Sequence, residues 1–452
     1  MSASVIDDAP MRPFHWRVAA LSAGGPFLDG WVLSIIAIVL IQATPALEMS
    51  DLELALVGSA ALAGMLLGGL FGGYLCDRFG RKITYTIDLT ALVVGSILCA
   101  LVGAPWQLVV LRFLIGIAVG ADYPIATSLL AEFVPRRRRG VLLASLVTAW
   151  FLGACLSYLV GFALSGLGED AWRWMLASAA LPGLIIVLLR VGIPESPRWL
   201  LNRGRAEDAS VVLKKVFGPK AELSDMDEPA ATASMWDVLR NQQYRTRLLF
   251  VVAFQSAQIV PLYAIYTFLP VMLTGFGFDE GDTSYLGGIV SSSIVLVGSV
   301  IGMFLMDKWG RRPVLILPFV PMAGALFLLA FVPPDSIWPV VVGFAVYSFF
   351  SGITGLLVWS YPSELFPTEI RSTALGFVTA FTRIAAAVGT FLVPLTIAGI
   401  GIGGAMFVGA VITVLGLVVS VVWAPETRGR TLAETSALTE PSAKRARQDP
   451  LR

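Results

Sequence analysis

About twelve stretches of roughly 20 apolar residues, separated by charged or Pro/Gly-rich breaks, run through this 452-residue chain. Each is long enough to cross a hydrocarbon layer of ~30 Å. They lie near 17–44, 54–76, 83–103, 106–131, 140–165 and 172–192, and, after a polar stretch, near 247–275, 284–306, 313–333, 337–361, 372–398 and 400–424. A segment inside lipid must satisfy its backbone polar groups internally. The pattern therefore predicts an all-α integral membrane protein with twelve transmembrane helices. Only 14% of the residues are charged and 56% are apolar, whereas a soluble protein is about a quarter charged. With 32 Lys and Arg against 31 Asp and Glu, a nucleic-acid binder acting through bulk charge is excluded. One histidine (His15) and three separated cysteines leave no basis for haem, zinc or a disulfide framework. No cofactor and no metal are expected.

The loops set the expected orientation. The connections near 45–53, 104–105, 166–171, 276–283, 334–336 and 399 carry no Lys or Arg, yet hold Glu48, Asp51, Glu53, Glu169, Asp170, Asp279, Glu280, Asp282 and Asp335. Apart from Arg112 and Arg383 inside spans and Arg173 at an outer helix start, the 32 basic residues fall on the opposite face. By the positive-inside rule both termini are expected in the cytoplasm of a multi-pass protein of the cell (inner) membrane. The first sixteen residues lack the basic start and small-residue cleavage site of a signal peptide, so the first span is expected to be an anchor.

The chain repeats itself at long range. Asp77-Arg78-Phe79-Gly80-Arg81-Lys82 recurs as Asp307-Lys308-Trp309-Gly310-Arg311-Arg312, an offset of 230. Glu132, Pro135 and Arg139 recur as Glu364, Pro367 and Arg371 (232), and Pro194-Glu195 as Pro425-Glu426 (231). The motifs follow the second, fourth and sixth span of each half. An even number of spans per half makes the two six-helix repeats parallel, related by an axis along the membrane normal. The expected organisation is an N-terminal segment 1–16, a six-helix bundle 17–193, a cytoplasmic linker 194–246, a second bundle 247–424 and a cytoplasmic tail 425–452.

Gly73-Tyr74-Leu75-Cys76-Asp77-Arg78-Phe79-Gly80-Arg81-Lys82 resembles the loop signature of the major facilitator superfamily. Pro194-Glu195-Ser196-Pro197-Arg198-Trp199-Leu200, Glu364-Leu365-Phe366-Pro367-Thr368 and Pro425-Glu426-Thr427-Arg428-Gly429-Arg430-Thr431-Leu432 resemble its sugar-porter branch. Gly120-Ala121-Asp122-Tyr123-Pro124-Ile125-Ala126-Thr127-Ser128 is closer to bacterial metabolite and organic-acid:proton symporters. The resemblance implies two six-helix bundles around a central cavity that opens alternately to either side. It also implies a cytoplasmic gate of ion pairs drawn from Asp77, Arg78, Arg81, Glu132, Arg139, Asp307, Arg311, Glu364 and Arg371. Exposed pairs are individually weak, under ~1 kcal/mol, which suits a switch between two states of similar energy. The alternative is that these residues only set topology.

Charges inside the spans carry the functional reading, because each costs about 2.5–3.5 kcal/mol at the membrane centre. Counting at 1.5 Å per residue places Asp29 and Asp122 at depths of about 18 and 15 Å from the same face. Both are candidates for carrying a coupling proton, with a static ion pair or polar anchor as the alternative. Related porters often have a second acid three residues further along span 1, where this chain has Val32. Asp88, near the cytoplasmic end of span 3, reads as a packing or loop contact. Arg383, near mid-depth in span 11, suits a carboxylate or phosphate substrate, or a protein acid. Arg112 matches the span 4 arginine of the sugar porters, and either pairs with an acid or touches substrate.

Span 7 offers Gln255, Gln258, Tyr263 and Tyr266 around Pro261, which frees backbone groups to line a cavity. Trp359 stands where the family has a pocket-wall tryptophan. The run Gln255-Ser256-Ala257-Gln258 departs from the sugar-binding Gln-Gln-x-Ser-Gly-x-Asn pattern, and Leu356-Leu357-Val358 lacks the family's prolines. These departures favour a small organic or aromatic acid over a hexose. The expected function is proton-coupled symport of a small polar metabolite by a monomer in the lipid bilayer, with no nucleic-acid partner and no enzymatic activity. Sugar or phosphate symport, proton-driven efflux and a non-transporting sensor are the rival readings. The Gly-Pro motif typical of drug exporters is missing from Trp150-Phe151-Leu152-Gly153-Ala154-Cys155-Leu156.

Overall fold

The computed structural model describes residues 10–134, 136–190, 192–218, 221–223, 240–278, 282–333, 336–366 and 368–428. The side chains of Asp77, Glu132, Arg139, Asp307, Trp359 and Arg371 lie outside the described residues. The first half comprises α1 (Pro13–Ala46), α2 (Asp51–Phe79), α3 (Arg81–Ala100), α4 (Pro105–Phe133), α5 (Arg136–Ser165) and the broken pair α6 (Ala171–Ala177) and α7 (Ala180–Leu189). Two short helices, α8 (Pro197–Asn202) and α9 (Ala206–Phe217), follow in the linker. The second half comprises α10 (Gln242–Gly275), α11 (Asp282–Trp309), α12 (Arg311–Phe331), α13 (Ile337–Gly355), α14 (Leu357–Leu365) and α15 (Thr368–Trp423).

Among the described residues, eleven segments are long and apolar enough to cross a membrane, and the last runs for 51 residues. Inside it Gly401 takes φ 75° and ψ 172°. That conformation suits glycine and breaks α15 into two spans, so the architecture has the expected twelve. The first helix starts earlier than the apolar run suggested: α1 begins at Pro13, and His15 is buried within it. The His15 Nδ1 accepts the Arg12 N–H at 2.9 Å, and its ring centroid lies 5.6 Å from that of Phe217 on α9. Among the described residues before the expected first span, 13–16 are thus helical, and His15 packs on α9.

Within the first half α2 packs on α4, α1 on α5, and α3 on α4 and α7; in the second, α11 packs on α13, α10 on α15, and α12 on α13 and α15. One packing device occurs twice. A Cβ on Gly68 would lie 1.9 Å from the Ile117 carbonyl oxygen, and one on Gly120 would lie 2.3 Å from that of Met65. In the second half the same relation joins Gly298 to Phe349 (2.1 Å) and Gly352 to Val295 (2.2 Å). These four pairings are equivalent under the sequence repeat. Backbone against backbone is how helices associate where lipid removes the hydrophobic drive.

The halves meet along α2 and α15, α5 and α11, and α1 and α10. Near the acidic loops the seam is tight: the Phe268 ring sits over Gly58, and Phe162 and Tyr285 meet edge to face at 6.4 Å. Along α2 it loosens toward the basic loops. A Cβ on Gly69 would reach Thr379 of α15 at 3.8 Å, whereas Gly73 has no described atom within 4 Å.

Candidate functional site

Three carboxyl groups converge inside the first half. Asp29 of α1, Asp88 of α3 and Asp122 of α4 are 3%, 5% and 0% exposed. The Asp122 carboxyl neighbours Asp88, Tyr85 and Asp29, and neither of its oxygens has a hydrogen-bond partner among the described residues. It fits only because α1 has no side chain at Gly25, where a Cβ would stand 2.1 Å from Asp122 Oδ1 and 2.4 Å from the Tyr85 hydroxyl. That hydroxyl accepts the Gly25 N–H at 2.9 Å and donates to the Ser22 carbonyl at 2.9 Å, pinning α3 to α1. Arg190 closes the cluster, its Cζ 3.4 Å from the Tyr85 ring centroid.

Asp29 and Asp122, placed at similar depth by counting along the helices, fall in one group, with Asp122 against Gly25 one turn before Asp29 on α1. Asp88 corrects the sequence reading: it is a third member of this group, not a separate packing or loop contact. Seven residues into α3 it lies about 11 Å deep, so the same arithmetic applied to α3 would have flagged it. Tyr85 and Arg190 carried no such signal, because neither is unusual at a helix end.

A second group gathers at the seam between the halves. Arg383 of α15 is half-buried, donates from Nη1 to the Tyr263 hydroxyl at 2.9 Å, and lies within electrostatic range of Asp29 of the opposite half. Trp150 of α5 stands edge-on to Tyr263 and Tyr266, with ring centroids 6.1 and 5.7 Å away. Gln255 donates from its amide to the Val358 carbonyl. Gln258 is buried beside Gly355 and Phe151, and neither its amide nitrogen nor its oxygen has a partner among the described residues. The Tyr266 hydroxyl is also buried without one, while its carbonyl accepts from Tyr158 at 3.0 Å. Next to it Tyr158, Ser291, Ser292 and Ser348 enclose a cavity of about 10 Å³, room for one water.

Arg112 stands apart from both groups. Its Nε and Nη1 donate to the carbonyls of Val57 and Val32 at 3.2 Å each, and it is 2% exposed. It ties α4 to α2 and α1 through backbone oxygens, and none of the three acids is among its described hydrogen-bond partners.

At the basic face, Arg311 pairs with Glu364 at 2.9 Å, and Thr427 donates to the other Glu364 oxygen. Arg78 donates to Tyr74 on its own helix at 3.2 Å, and its carbonyl accepts from Arg203. The Arg81 N–H goes to Glu195 at 2.9 Å, joined by the Lys82 N–H at 3.2 Å. Glu426 accepts the N–H groups of Arg311 and Arg312 at 3.0 and 3.2 Å in the same way. In both halves the glycine before the helix has a positive φ, 96° at Gly80 and 94° at Gly310. Each exposes a helix N-terminus whose unpaired N–H groups and positive dipole suit a carboxylate. Glu195 and Glu426 were visible in the sequence as a repeat but not as a function.

The family model described as "Sugar (and other) transporter" matches residues 18–438. The chain is 42% identical to "Putative metabolite transport protein YaaU" of Escherichia coli (strain K12), over 96% of this chain and 97% of that one. It is 37% identical to "Inner membrane metabolite transport protein YgcS" of the same organism, over 94% of each. The solved inward-open, partially occluded structure of the xylose transporter XylE from E. coli superposes with a TM-score of 0.80 at 24% identity, covering 93% of this chain and 100% of that one.

Proposed function

We propose, from the premise that this chain belongs to the sugar (and other) transporter family, that it moves a small carboxylic acid together with a proton across the inner membrane by alternating access. The observation that carries this reading is Arg383 of the second half, held by the Tyr263 hydroxyl at 2.9 Å and within electrostatic range of Asp29 in the first half. Arg383 offers a cation to a carboxylate substrate through paired hydrogen bonds. Trp150, Tyr263 and Tyr266 offer ring edges and faces to its apolar part. An anion bound at Arg383 competes with Asp29 for the same positive charge. Asp29 is then better satisfied as a neutral acid, so substrate and proton load together. Rocking of one half against the other, with the termini cytoplasmic, carries both inward; a monocarboxylate and one proton together carry no net charge, so the pH gradient rather than the membrane potential drives the step.

A sugar is the second reading, favoured by the unpartnered buried amide of Gln258, which offers a donor and an acceptor to hydroxyl groups. Uptake by proteoliposomes offered carboxylates, sugars and phosphate, with and without an imposed pH gradient, separates the two. Gradient-stimulated uptake of a carboxylate, with the stimulation lost in Asp29→Asn and Asp122→Asn, is the expected result. Uptake of a sugar and of no carboxylate overturns the substrate class, and uptake indifferent to the gradient overturns the coupling.

A further inference from the structure

Arg190 is a buried guanidinium stacked on Tyr85, whose hydroxyl shares the Gly25 position with Asp122 and whose helix begins one turn earlier at the Arg81 N–H that Glu195 accepts. It follows α7, is 5% exposed, and its Nη1 has no hydrogen-bond partner among the described residues. It is within electrostatic range of Asp88 and Asp122 and of Glu195. Glu195 is the carboxylate that holds the N–H groups of Arg81 and Lys82 at the start of α3. The charged and titratable groups around this position come from every packed element. Helix α1 brings Asp29 and also Arg17, which donates to the Leu189 carbonyl at 2.9 Å. Helix α3 brings Tyr85 and Asp88, α4 brings Asp122, and the second half directs Arg383 toward Asp29.

A cation within range of two anionic sets is held by whichever carries more charge, and away from water the attraction over a few ångströms is strong. With the three-acid cluster ionised, Arg190 stays over Tyr85. When the cluster takes up a proton its pull falls, and Glu195 becomes the stronger attractor. A guanidinium drawn to Glu195 competes with the two backbone N–H groups for the same oxygens.

We propose that Arg190 is a positioning residue that transmits the protonation state of the Asp29–Asp88–Asp122 cluster to Glu195, and so to the Gly80 turn and the first turn of α3. The inference rests on the proton-coupled reading above and names the part that links the coupling site to the loop at the basic face. It predicts that the α3 start is looser when the cluster is protonated.

The test is hydrogen–deuterium exchange of the segment 78–86 in the full-length protein in lipid nanodiscs, at acid and alkaline pH and corrected for intrinsic exchange, alongside pH profiles of uptake. In the native chain the Arg81 and Lys82 amides should exchange several-fold faster at acid pH. Arg190→Gln should remove that difference and move the half-maximal pH of uptake by about one unit; Arg190→Lys should restore both. Glu195→Gln, which keeps Arg190 in place, should also remove the exchange difference, and it carries the test if Arg190→Gln does not fold. If Asp122→Asn abolishes the pH dependence of exchange while Arg190→Gln and Glu195→Gln leave it native, the relay is overturned and proton coupling stands. If the native chain shows pH-independent uptake and exchange, the coupling reading falls first.

Discussion

The Glu426 carboxylate accepts the backbone N–H of Arg311 at 3.0 Å, fastening the segment after the last span to the start of α12. Burial works against its ionisation, but N–H groups of Arg428, Arg311, Arg312 and Thr427 outweigh it and hold the carboxyl below the ordinary glutamate value. A carboxyl held below its unfolded value adds stability that is complete above that value, about 4.5, and is lost as pH falls through the lower folded value. Glu426→Gln should lower stability by about 1 kcal/mol near neutrality. It should also flatten the decline of the melting temperature below about pH 4.5, read by thermal unfolding in detergent across pH.

The two matched helix crossings give a paired stability test. Gly120→Ala and Gly352→Ala each drive a methyl group into a carbonyl of the facing helix. Each should cost about 1–3 kcal/mol by overpacking. Gly73→Ala, with no described atom within 4 Å, should be close to neutral. Equal melting temperatures for all three variants would show that the crossings are not the tight contacts described.

Substrate affinity should follow Arg383 and its hydroxyl partner. Arg383→Lys keeps the charge but loses the paired geometry, and Arg383→Gln loses both. KM for a carboxylate should rise about tenfold or more in the glutamine variant, from the roughly 1.5–3 kcal/mol of a charged hydrogen bond, and less in the lysine variant. Tyr263→Phe removes the acceptor at 2.9 Å and should raise KM by a smaller factor. A KM unchanged in all three would remove Arg383 from the substrate site.

Arg112 separates a structural arginine from a substrate one. Its hydrogen bonds go to carbonyls of α1 and α2, so Arg112→Met should lower thermal stability and yield. The fraction that folds should retain near-native KM. A large rise in KM with unchanged melting temperature would return Arg112 to the substrate-binding group.

Much of the fold was legible because crossing a membrane is a property of each segment by itself. A run of about 20 apolar residues is stable in lipid whatever surrounds it. The break at Gly401 and the early start of α1 needed the backbone, since an apolar run does not show where one helix yields to the next. The site was legible only along the helix axis. Depth follows from residue count, which is why Asp29 and Asp122 could be placed at similar depth without coordinates. The direction each side chain faces depends on the rotation and crossing of its helix. This is why Arg112, at a suitable depth, turned instead to backbone oxygens.

What the amino-acid order alone determined is therefore the number of spans, their duplication in two halves and the motifs at their ends, because hydrophobicity and repetition are additive along the chain. What only the tertiary structure decided is which buried charges become neighbours. Asp88 and Asp122 share one buried group, and Arg190 stacks on the Tyr85 ring beside it. Such meetings arise from glycine-mediated close approach and helix rotation, three-dimensional conditions that no one-dimensional spacing specifies.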